Sequence, residues 1–527
     1  MAIKLPHAAS VAKNPSQERL REWALAYLPR VTVTEFGNLN YMAEVTARLA
    51  QSTFFVAEDE PFKNSISRAD YERWAALQDA YIADKDMILI EGYIGPDPEF
   101  RTGCRLYIER TQANIPAMQQ QLYFPKDDDW TPEFTVIYTP GLRADVEAID
   151  PELMVWEDES PLASPSPDDK LILVDLDNYV TRVLGSDYFG ESKMGGLRMW
   201  NHLVYEAGGL ALHSGLKSFP DVDGEEKVAL ILGLSGTGKT TTTFRRQLGS
   251  LPVQDDFVAL FPGGKVYASE NGCFAKTFGL DPVDEPTIYG AVTRPDAWLE
   301  NTWVDDDGKV DFFNDSHTRN GRATFPLENI RHRDPRDLPP ASFMLLLNRN
   351  ENIIPAVVKL RRDQAAAYFM LGETKGTSAG GAAEAGKNLR VPGTNPFFFT
   401  NDALQGNRLA ELLETMPDLE VYVMNTGRVG GPEGDERSKK VKIRHSSTIV
   451  QAIVEGSIVW EEDPDFGYLV AAEVPDFDDP ELLQPRRLYE RQGRLDEYRA
   501  LVEQLTEERR RYLRSFPGLL PSIVEAI

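Results

Sequence analysis

The sequence has few cysteines and no long apolar run, and both absences limit what the protein can be. Only two cysteines, Cys104 and Cys273, occur among 527 residues, too few for a disulfide framework, which favours a reducing compartment. No uninterrupted apolar run approaches the roughly 18 residues of a membrane-spanning helix. Residues 1–13 also lack the apolar segment of a secretion signal. These absences predict a soluble cytoplasmic protein with no membrane partner.

Positive charge is also scarce. Lysine and arginine together number 56 against 83 aspartates and glutamates, which gives a formal net charge of −27. This balance argues against nucleic acid or an anionic membrane as the main partner. An anionic substrate would therefore need a local basic pocket, so individual lysines and arginines carry more information than their total.

The length indicates at least two lobes, because single hydrophobic cores stop growing near roughly 250 to 300 residues. The polar residues 218–226 are the best candidate for a hinge, which predicts an N-terminal lobe of residues 1–218 and a C-terminal lobe of residues 219–527. Between about residues 480 and 516, a charged helical pattern predicts terminal helices that either pack against the body or form an oligomer contact. The sequence leaves both a monomer and a homo-oligomer open.

Periodicity predicts both helices and strands along the N-terminal part of the chain. Helical spacing predicts helices near residues 17–23, 67–83 and 188–205. Apolar runs predict strands at residues 87–93, 104–108 and 134–138.

A glycine-rich loop, residues 233–240 with the sequence GLSGTGKT, follows an apolar run that predicts a strand and precedes residues compatible with a helix. This context is the one in which the pattern G-x-x-x-x-G-K-[ST] predicts phosphate binding. Backbone amides and the positive end of the helix would cradle a polyphosphate. Lys239 would reach the outer phosphates, and the Thr240 hydroxyl a divalent cation. The alternative is a glycine-rich turn with a chance lysine.

Two adjacent acids, Asp255 and Asp256, follow an apolar step soon after the loop lysine. A phosphate loop needs a carboxylate near its metal ion, and a second motif at this distance is typical. The alternative is a solvated turn, because paired acids are common on surfaces.

Several motifs, taken in order, resemble those of the ATP-dependent phosphoenolpyruvate carboxykinases. The glycine-rich loop with Thr241 matches that family's GLSGTGKTT, and residues 271–277, NGCFAKT, resemble its GGCYAK. Further resemblances are Thr46-Ala47-Arg48 to TGR, residues 188–195 to YGGEMKKG, His213 to a metal-binding histidine, residues 320–326 to NTRVSYP, and residues 376–380 and 425–427 to two more segments. The resemblance runs from about residue 46 to about residue 450 and covers most of the chain.

The resemblance implies an α/β fold of two lobes, with a mixed sheet and the glycine-rich loop in the C-terminal lobe. It also implies a reversible reaction in which oxaloacetate and ATP give phosphoenolpyruvate, CO2 and ADP. The enolate and the triphosphate are both anionic, so the chemistry needs cations in a site that excludes water.

Carried over residue by residue, the resemblance implies roles in the reaction for these residues. Arg48 and Arg322 would hold the substrate carboxylate and the transferring phosphate, for which a planar guanidinium is suited. Lys239 and Lys276 would neutralise the γ-phosphate. Tyr188 would lie beside the substrate or CO2.

The resemblance also implies sites for the nucleotide and for two cations. Thr240 would ligate a nucleotide-bound Mg²⁺ whose water shell Asp255 holds, while His213 and Asp256 would bind a second cation, Mn²⁺. Lys440 and Ser446 fall on a segment that contacts the adenine end of ATP. The remaining phosphate contacts would come from Gly233, Leu234, Ser235, Gly236, Thr237, Gly238, Lys239, Thr240 and Thr241.

Each of these residues has a purely structural alternative. The residues around His213 alone favour a core histidine, and Arg48 could pair with a surface acid. Tyr188 could cap a strand. Cys273 is interpreted as a packed small residue, because phosphoryl transfer from ATP to an enolate needs no thiol.

The sequence departs from the family pattern at Lys193-Met194, where the family has two lysines, the second of which ligates Mn²⁺. A thioether is a poor ligand for a hard divalent ion. Either Lys193 ligates the Mn²⁺ instead, or His213, Asp256 and water hold it without a lysine, or the chemistry that depends on this second cation is lost. Two alternatives therefore stay open: a related kinase with another small-molecule or protein acceptor, and a nucleotide-binding regulator without turnover.

Overall fold

A computed structural model describes residues 3–57, 64–144, 169–222, 224–234, 236–375, 387–398 and 400–527. The chain divides into two compact units. The first unit comprises Met1–Leu203, Ser269–Ile330 and Phe397–Phe399, and the second comprises Val204–Ala268, Arg331–Pro396 and Thr400–Ile527.

Helices occur in both units. They are α1 (Gln17–Tyr27), α2 (Arg68–Ile82), α3 (Asn114–Leu122), α4 (Phe189–Glu206), α5 (Lys239–Phe244), α6 (Pro286–Val292), α7 (Arg362–Leu371), α8 (Ala403–Glu414), α9 (Ile443–Glu455), α10 (Pro485–Arg491), α11 (Leu495–Arg514) and α12 (Pro521–Glu525). The three helices that the spacing predicts near residues 17, 67 and 188 are confirmed as α1, α2 and α4. Within the described residues, no helix is both long enough and apolar enough to span a membrane.

Strands are more numerous than helices. They are β1 (Ser10–Lys13), β2 (Val31–Val33), β3 (Leu39–Tyr41), β4 (Thr53–Val56), β5 (Ser65–Ile66), β6 (Asp86–Ile94), β7 (Thr102–Glu109), β8 (Phe124–Pro125), β9 (Phe134–Thr139), β10 (Leu171–Asp175), β11 (Val180–Leu184), β12 (Leu210–Val222), β13 (Glu225–Leu232), β14 (Leu251–Gln254), β15 (Phe257–Leu260), β16 (Val266–Ala268), β17 (Gly272–Lys276), β18 (Trp298–Glu300), β19 (Arg322–Pro326), β20 (Phe343–Asn348), β21 (Val357–Lys359), β22 (Glu373–Lys375), β23 (Asn388–Arg390), β24 (Glu420–Asn425), β25 (Arg428–Val429), β26 (Lys439–Lys440), β27 (Val459–Glu462) and β28 (Leu469–Glu473). The predicted strands at residues 87, 104 and 134 are confirmed as β6, β7 and β9.

The first unit contains two sheets. A nine-stranded sheet has the order β1-β6-β7-β9-β11-β10-β4-β5, with β8 beside β6, and it mixes parallel and antiparallel pairs. Strands β7 and β9 are buried along their whole length, which explains why their sequences do not alternate as those of half-exposed strands do. The second sheet has the order β17-β19-β18-β3-β2.

The five-stranded sheet explains why the units differ from the predicted lobes. Strand β3, near the N-terminus, pairs with β18, and β18 pairs with β19. Residues 269–330 therefore belong to the first unit, although the prediction placed them in a C-terminal lobe. Such long-range pairing leaves no local signal in the sequence.

The second unit is built on a ten-stranded sheet of order β16-β15-β12-β13-β20-β24-β21-β28-β27, with β14 beside β12. Its strands β13, β20 and β24 are parallel neighbours, and antiparallel strands flank them. The carboxyl ends of β13, β20 and β24 therefore meet at one edge of the sheet, where ligands bind in open α/β sheets. The prediction of a mixed α/β protein is confirmed.

The hinge prediction at residues 218–226 needs correction. Strands β12 and β13 pair across this segment from Phe219 opposite Lys227 to Val222 opposite Glu225, so the segment is a hairpin inside the second unit. Proline, aspartate and glycine are typical of both linkers and hairpin turns, and composition alone does not separate the two.

The predicted terminal helices are confirmed as α10 and α11 of the second unit. Helix α11 is anchored by Arg509, which is fully buried and donates two hydrogen bonds to Glu373 at 2.7 and 2.9 Å. Burial alone would raise the pKa of Glu373, but Arg509 and Arg390 outweigh it and leave that pKa lowered.

Candidate functional site

The glycine-rich loop connects β13 to α5, as the sequence predicts for a strand, a turn and a helix start. Gly236 and Gly238 have φ angles of 85° and 92°, which side-chain-bearing residues rarely adopt. A Cβ atom on Gly233 would lie 2.3 Å from Oγ1 of Thr237. All three glycines are therefore required by the path of the backbone.

Two residues from neighbouring strand ends contact this loop. Thr426, which follows β24, lies with its Oγ1 2.8 Å from the carbonyl oxygen of Thr237. Arg349, which follows β20, donates from Nη1 to the carbonyl oxygen of Gly236 at 3.3 Å. The sequence motifs gave residues 425–427 no role and did not point to Arg349. The signal that could have found both is the expected meeting of parallel strand ends at one sheet edge.

Beside the loop, Asp256 contacts the predicted phosphate-binding residue Lys239 and the predicted cation ligand His213. Its Oδ1 atom lies 2.5 Å from Nζ of Lys239 and 3.0 Å from Nε2 of His213. Strands β12 and β15 pair antiparallel, with His213 opposite Phe257, and this pairing brings the histidine to the two acids. His213 is 9% exposed, but its polar contacts distinguish it from an ordinary core histidine.

The ring of His213 is held in one orientation. Its Nδ1 atom lies 2.8 Å from the carbonyl oxygen of Thr394, which can only accept, so Nδ1 carries the hydrogen. Burial and the charge of Lys239 lower the pKa of His213, against the opposing effect of Asp256. The ring is therefore neutral near pH 7, and its Nε2 lone pair faces a carboxylate oxygen. Two electron-pair donors at this distance fit a cation bound to both.

The donor set beside the loop suits a hard divalent cation. It consists of an imidazole nitrogen and carboxylate oxygens, which Mg²⁺ and Mn²⁺ accept. The Oδ1 atom of Asp255 is buried and receives no hydrogen bond from the part of the chain that the structure describes. Within the described ranges, no three His, Cys, Asp or Glu side chains lie close enough together to hold a metal.

In the first unit, Asn320 joins three predicted substrate-binding elements. Its Nδ2 atom donates to the carbonyl oxygen of Thr46 at 2.7 Å and lies 3.4 Å from the hydroxyl of Tyr188. Arg322 donates from Nη2 to Oδ1 of Asn320 at 2.9 Å. One amide thus connects the loop of Arg48, Tyr188 and Arg322. Asn320 lies in residues 320–326, which resemble a family segment, but the resemblance gave Asn320 itself no role.

The loop of Arg48 is also anchored to helix α4. Oε1 of Glu191 accepts the backbone N–H of Leu49 at 2.6 Å, and Oε2 accepts Nη2 of Arg198 at 3.2 Å. Glu191 and Arg198 are both buried, and Arg48 is half-buried. Arg48 is thus set beside a buried ion pair and does not fit the alternative of an arginine on an open surface.

Cationic side chains concentrate on β17 and β19, where Lys276 lies opposite Arg322. The Nε atom of Arg322 is buried and donates no hydrogen bond among the described residues. Burial lowers the pKa of Lys276 to about 8, and the charges of Arg322 and Arg319 add to this decrease. This cluster of cations, named here the cation strand pair, is suited to an anionic ligand.

A buried acid lies next to the cation strand pair. Glu300 is opposite Arg322 on β18, and its Oε1 atom accepts the backbone N–H of Phe189 at 2.8 Å. Burial raises the pKa of Glu300 well above that of an exposed glutamate. Burial also raises the pKa of Tyr188 to about 12, so its hydroxyl keeps its proton. No sequence motif pointed to Glu300, because its position beside Arg322 follows from strand pairing alone.

Lys193 and Met194, where the sequence departs from the family pattern, have different surroundings. Nζ of Lys193 lies 3.1 Å from Oε2 of Glu270, and both side chains are buried. Met194 packs in an apolar cluster with Val45 and Tyr188. Position 194 is thus part of a hydrophobic contact, and Lys193 is held by an acid.

The predicted adenine-contacting residues lie in the second unit. Val441 donates its backbone N–H to the carbonyl oxygen of Gly427 at 2.9 Å, next to the Thr426 that contacts the glycine-rich loop. Lys440 is exposed on β26, and Ser446 is half-buried in the first turns of α9. The segment is thus connected to the loop through residues 426 and 427.

Two predicted segments lie outside the described residues: Ser235 in the glycine-rich loop and residues 376–380. Cys104 and Cys273 are both buried free thiols. The burial of Cys273 agrees with its interpretation as a packed residue.

Comparison with known proteins gives consistent matches over most of the chain. A model of the family described as phosphoenolpyruvate carboxykinase matches residues 9–480. The chain is 29% identical over 475 residues to phosphoenolpyruvate carboxykinase (ATP) 1 of Moorella thermoacetica, covering 88% of this chain and 84% of the relative. It is 28% identical over 433 residues to phosphoenolpyruvate carboxykinase (ATP) of Alkaliphilus oremlandii, covering 79% and 76%. The protein of that name from Staphylococcus aureus strain Newman is 28% identical over 472 residues, covering 84% and 83%.

Proposed function

Because the chain belongs to the ATP-dependent phosphoenolpyruvate carboxykinase family, we propose that it converts oxaloacetate and ATP reversibly to phosphoenolpyruvate, CO2 and ADP. The observation that carries this proposal is the joint contact of Lys239 and His213 with Asp256 beside the glycine-rich loop. The loop, in the C-terminal lobe, binds the phosphates of ATP. The buried free thiols support a cytoplasmic location.

The second unit binds the triphosphate and its cation. Backbone amides of the glycine-rich loop and the N-terminus of α5 hold the phosphates. Lys239 leaves Asp256 and pairs with the γ-phosphate, since a phosphate with more than one negative charge attracts the ammonium more strongly than one carboxylate does. This exchange would free Asp256 to hold a cation together with His213.

Two divalent cations, Mn²⁺ beside His213 and Mg²⁺ beside Thr240, would neutralise charge on the phosphate and on the enolate oxygen. Position 194 would give the Mn²⁺ no ligand, because its thioether packs in the apolar cluster with Val45. His213, Asp256 and water would hold the Mn²⁺, and the Asp255 carboxylate would accept hydrogen bonds from the water shell of the Mg²⁺.

The first unit binds the organic substrate. Arg48 and Arg322 hold its carboxylate and the transferring phosphate, and Asn320 orients Arg322 through the 2.9 Å hydrogen bond. Lys276 neutralises the phosphate as it moves to the enolate oxygen. Tyr188, still protonated at neutral pH, donates a hydrogen bond to substrate or CO2. Arg48, Lys276 and Arg322 are half-buried, so water screens their charges less than it would on an open surface.

An assay in the carboxylating direction tests the proposal. Purified protein supplied with phosphoenolpyruvate, ADP, bicarbonate and Mn²⁺ is expected to form oxaloacetate and ATP. Arg322→Met should lower this rate about 10²-fold or more, since it removes a preorganised donor from the transferring phosphate. Arg294→Met is the matched control in the same unit, because Arg294 pairs with Asp296 at the surface. No turnover with any divalent metal would contradict the proposal.

A second candidate is ATP-dependent phosphorylation of another acceptor. The apolar packing of Met194, where the family has a ligand lysine, favours it. Consumption of ATP by a metabolite mixture that lacks oxaloacetate would support this candidate over the first. Parallel assays with GTP in place of ATP test the nucleotide preference.

The pKa of Lys276 predicts the pH dependence of nucleotide affinity. This pKa is lowered to about 8, so the ammonium loses its proton as pH rises through 8. The KM for ATP is therefore expected to increase above pH 8, and Lys276→Arg should abolish this increase because arginine stays charged. Between pH 8 and 10.5 the unfolded chain binds more protons at this group than the folded protein does, so stability from Lys276 rises with pH. A KM that falls above pH 8, or an unchanged profile in Lys276→Arg, would contradict the assignment.

A further inference from the structure

A buried lysine on β12 lies against the helix that follows the glycine-rich loop. Lys217 is 1% exposed. Its Nζ atom donates to the carbonyl oxygens of Thr242 at 2.9 Å and of Arg245 at 2.5 Å. These carbonyls belong to the carboxyl end of α5, whose first residues are Lys239 and Thr240. Lys217 thus contacts the far end of the helix that carries both proposed phosphate- and cation-binding side chains.

Stability alone does not explain a charge at this position. Burial lowers the pKa of Lys217 to about 7, and the charge of Arg245 adds to the decrease, which shows that the surroundings disfavour the ammonium. On the flanking strands, Lys217 lies opposite Ala229 and Pro252, where a methionine of similar length would avoid the desolvation penalty. What the lysine provides and methionine would not is the pair of hydrogen bonds to the two helix carbonyls.

Helix α5 is so short that the contact of Lys217 with its carboxyl end also affects the orientation of its first residues. It has six residues, so it spans roughly 9 Å from the loop to its carboxyl end. A cation at the carboxyl end of a helix also interacts favourably with the helix dipole. Two residues before Lys217, a Cβ atom on Gly215 would lie 2.1 Å from Oγ1 of Thr243. Strand β12 therefore fits closely against α5 at two positions on the same strand face.

We propose that Lys217 is a positioning residue for ATP: it ties the carboxyl end of α5 to strand β12 and thereby aims Lys239, Thr240 and the loop amides at the phosphates. It does not touch the substrate. The proposal rests on the proposed function, because it assumes that the glycine-rich loop binds ATP.

Steady-state kinetics and equilibrium ATP binding test this role in the full-length protein. Lys217→Met is expected to raise the KM and Kd for ATP about tenfold or more, the effect of losing a charge-assisted hydrogen bond. The KM for oxaloacetate should change less than about twofold, since the altered helix carries proposed contacts to the phosphates of ATP and their cation and none to oxaloacetate. Lys217→Arg keeps a cation and should restore ATP affinity to within about threefold of wild type.

A matched control removes a cation from another helix end. Arg362 donates to the carbonyl oxygens of Leu413 and Met416 at the carboxyl end of α8, which carries no proposed site residue. Arg362→Met should leave both KM values unchanged. A general loss of stability, in either variant, would affect the kinetics with ATP and with oxaloacetate to the same extent.

A second variant keeps the test decisive if Lys217→Met does not fold. Gly215→Ala places a methyl group against Thr243 and should move α5 without altering any charge, so it should also raise the KM for ATP alone. If the variants that fold bind ATP as Arg362→Met does, the positioning role is wrong while the proposed function stands. If the wild-type protein binds no ATP, the proposed function itself fails.

Discussion

Replacement of Lys239 by methionine is expected to lower kcat/KM about 10³-fold or more, because a charge on the transferring phosphate is lost from a buried site. The side chain of Lys239 is 8% exposed and its ammonium lies 2.5 Å from Asp256. Methionine fills similar volume but provides neither charge nor hydrogen bonds. Kinetics with ATP and oxaloacetate, together with ATP binding by calorimetry, measure the effect.

Lys239→Met should lower activity without weakening metal binding. In the nucleotide-free protein, Lys239 competes with a cation for Oδ1 of Asp256, so Lys239→Met is expected to bind Mn²⁺ at least as tightly as wild type. Electron paramagnetic resonance of free Mn²⁺ measures this affinity. A fall in Mn²⁺ affinity would show that the variant has damaged the site as a whole.

Another lysine of the same sheet provides the control for Lys239. Lys359 on β21 is half-buried and pairs with Glu420, and neither is a proposed site residue. Replacement of Lys359 by methionine should change kcat/KM less than about twofold. A loss of less than about tenfold in Lys239→Met, with unchanged ATP affinity, would remove the glycine-rich loop from the proposed reaction.

Lys193→Met should destabilise the protein by about 3 to 5 kcal/mol, because it leaves Glu270 as a buried charge without its lysine. The side chains of Lys193 and Glu270 are 4% and 6% exposed. Urea titration followed by tryptophan fluorescence gives the apparent free energy of unfolding. The surface pair of Arg19 and Glu22 is the control, and Arg19→Met should cost less than about 1 kcal/mol.

The double variant Lys193→Met with Glu270→Gln separates structure from catalysis. It removes both charges and should recover most of the lost stability, because no unpaired charge remains buried. If Lys193 also takes part in the reaction, activity stays low after stability returns. Recovery of activity along with stability would assign Lys193 a structural role only, and an equally unstable double variant would show that the ion pair is not the source of the effect.

The glycine-rich loop could be predicted from sequence because its chemistry is local. Strand β13, the glycines and α5 are consecutive, so the turn that cradles phosphate needs no distant partner. The adjacent acids Asp255 and Asp256 follow soon after and were also found. The hinge at residues 218–226 was placed wrongly, because a hairpin turn and a linker have the same polar composition.

Other parts of the candidate site depend on contacts between residues that are far apart in sequence. The pairing of β12 with β15 brings His213 to Asp256. This contact distinguishes His213 from a core histidine, and the residues next to His213 in the sequence do not. Asn320 joins the loop of Arg48 to Tyr188 and Arg322 through its own side chain. No periodicity in the sequence encodes such contacts.

The sequence by itself determined the glycine-rich loop and the ordered motifs of the family, since these depend on consecutive residues, and the resemblance that those motifs carry implied the mixed α/β class. Only the tertiary structure decided that residues 269–330 belong with the N-terminal strands, that Met194 is an apolar contact and that Lys217 lies buried beneath α5. The physical reason is that burial and strand pairing are set by the whole chain, and the pKa of a lysine or the partner of an acid depends on what surrounds it after folding.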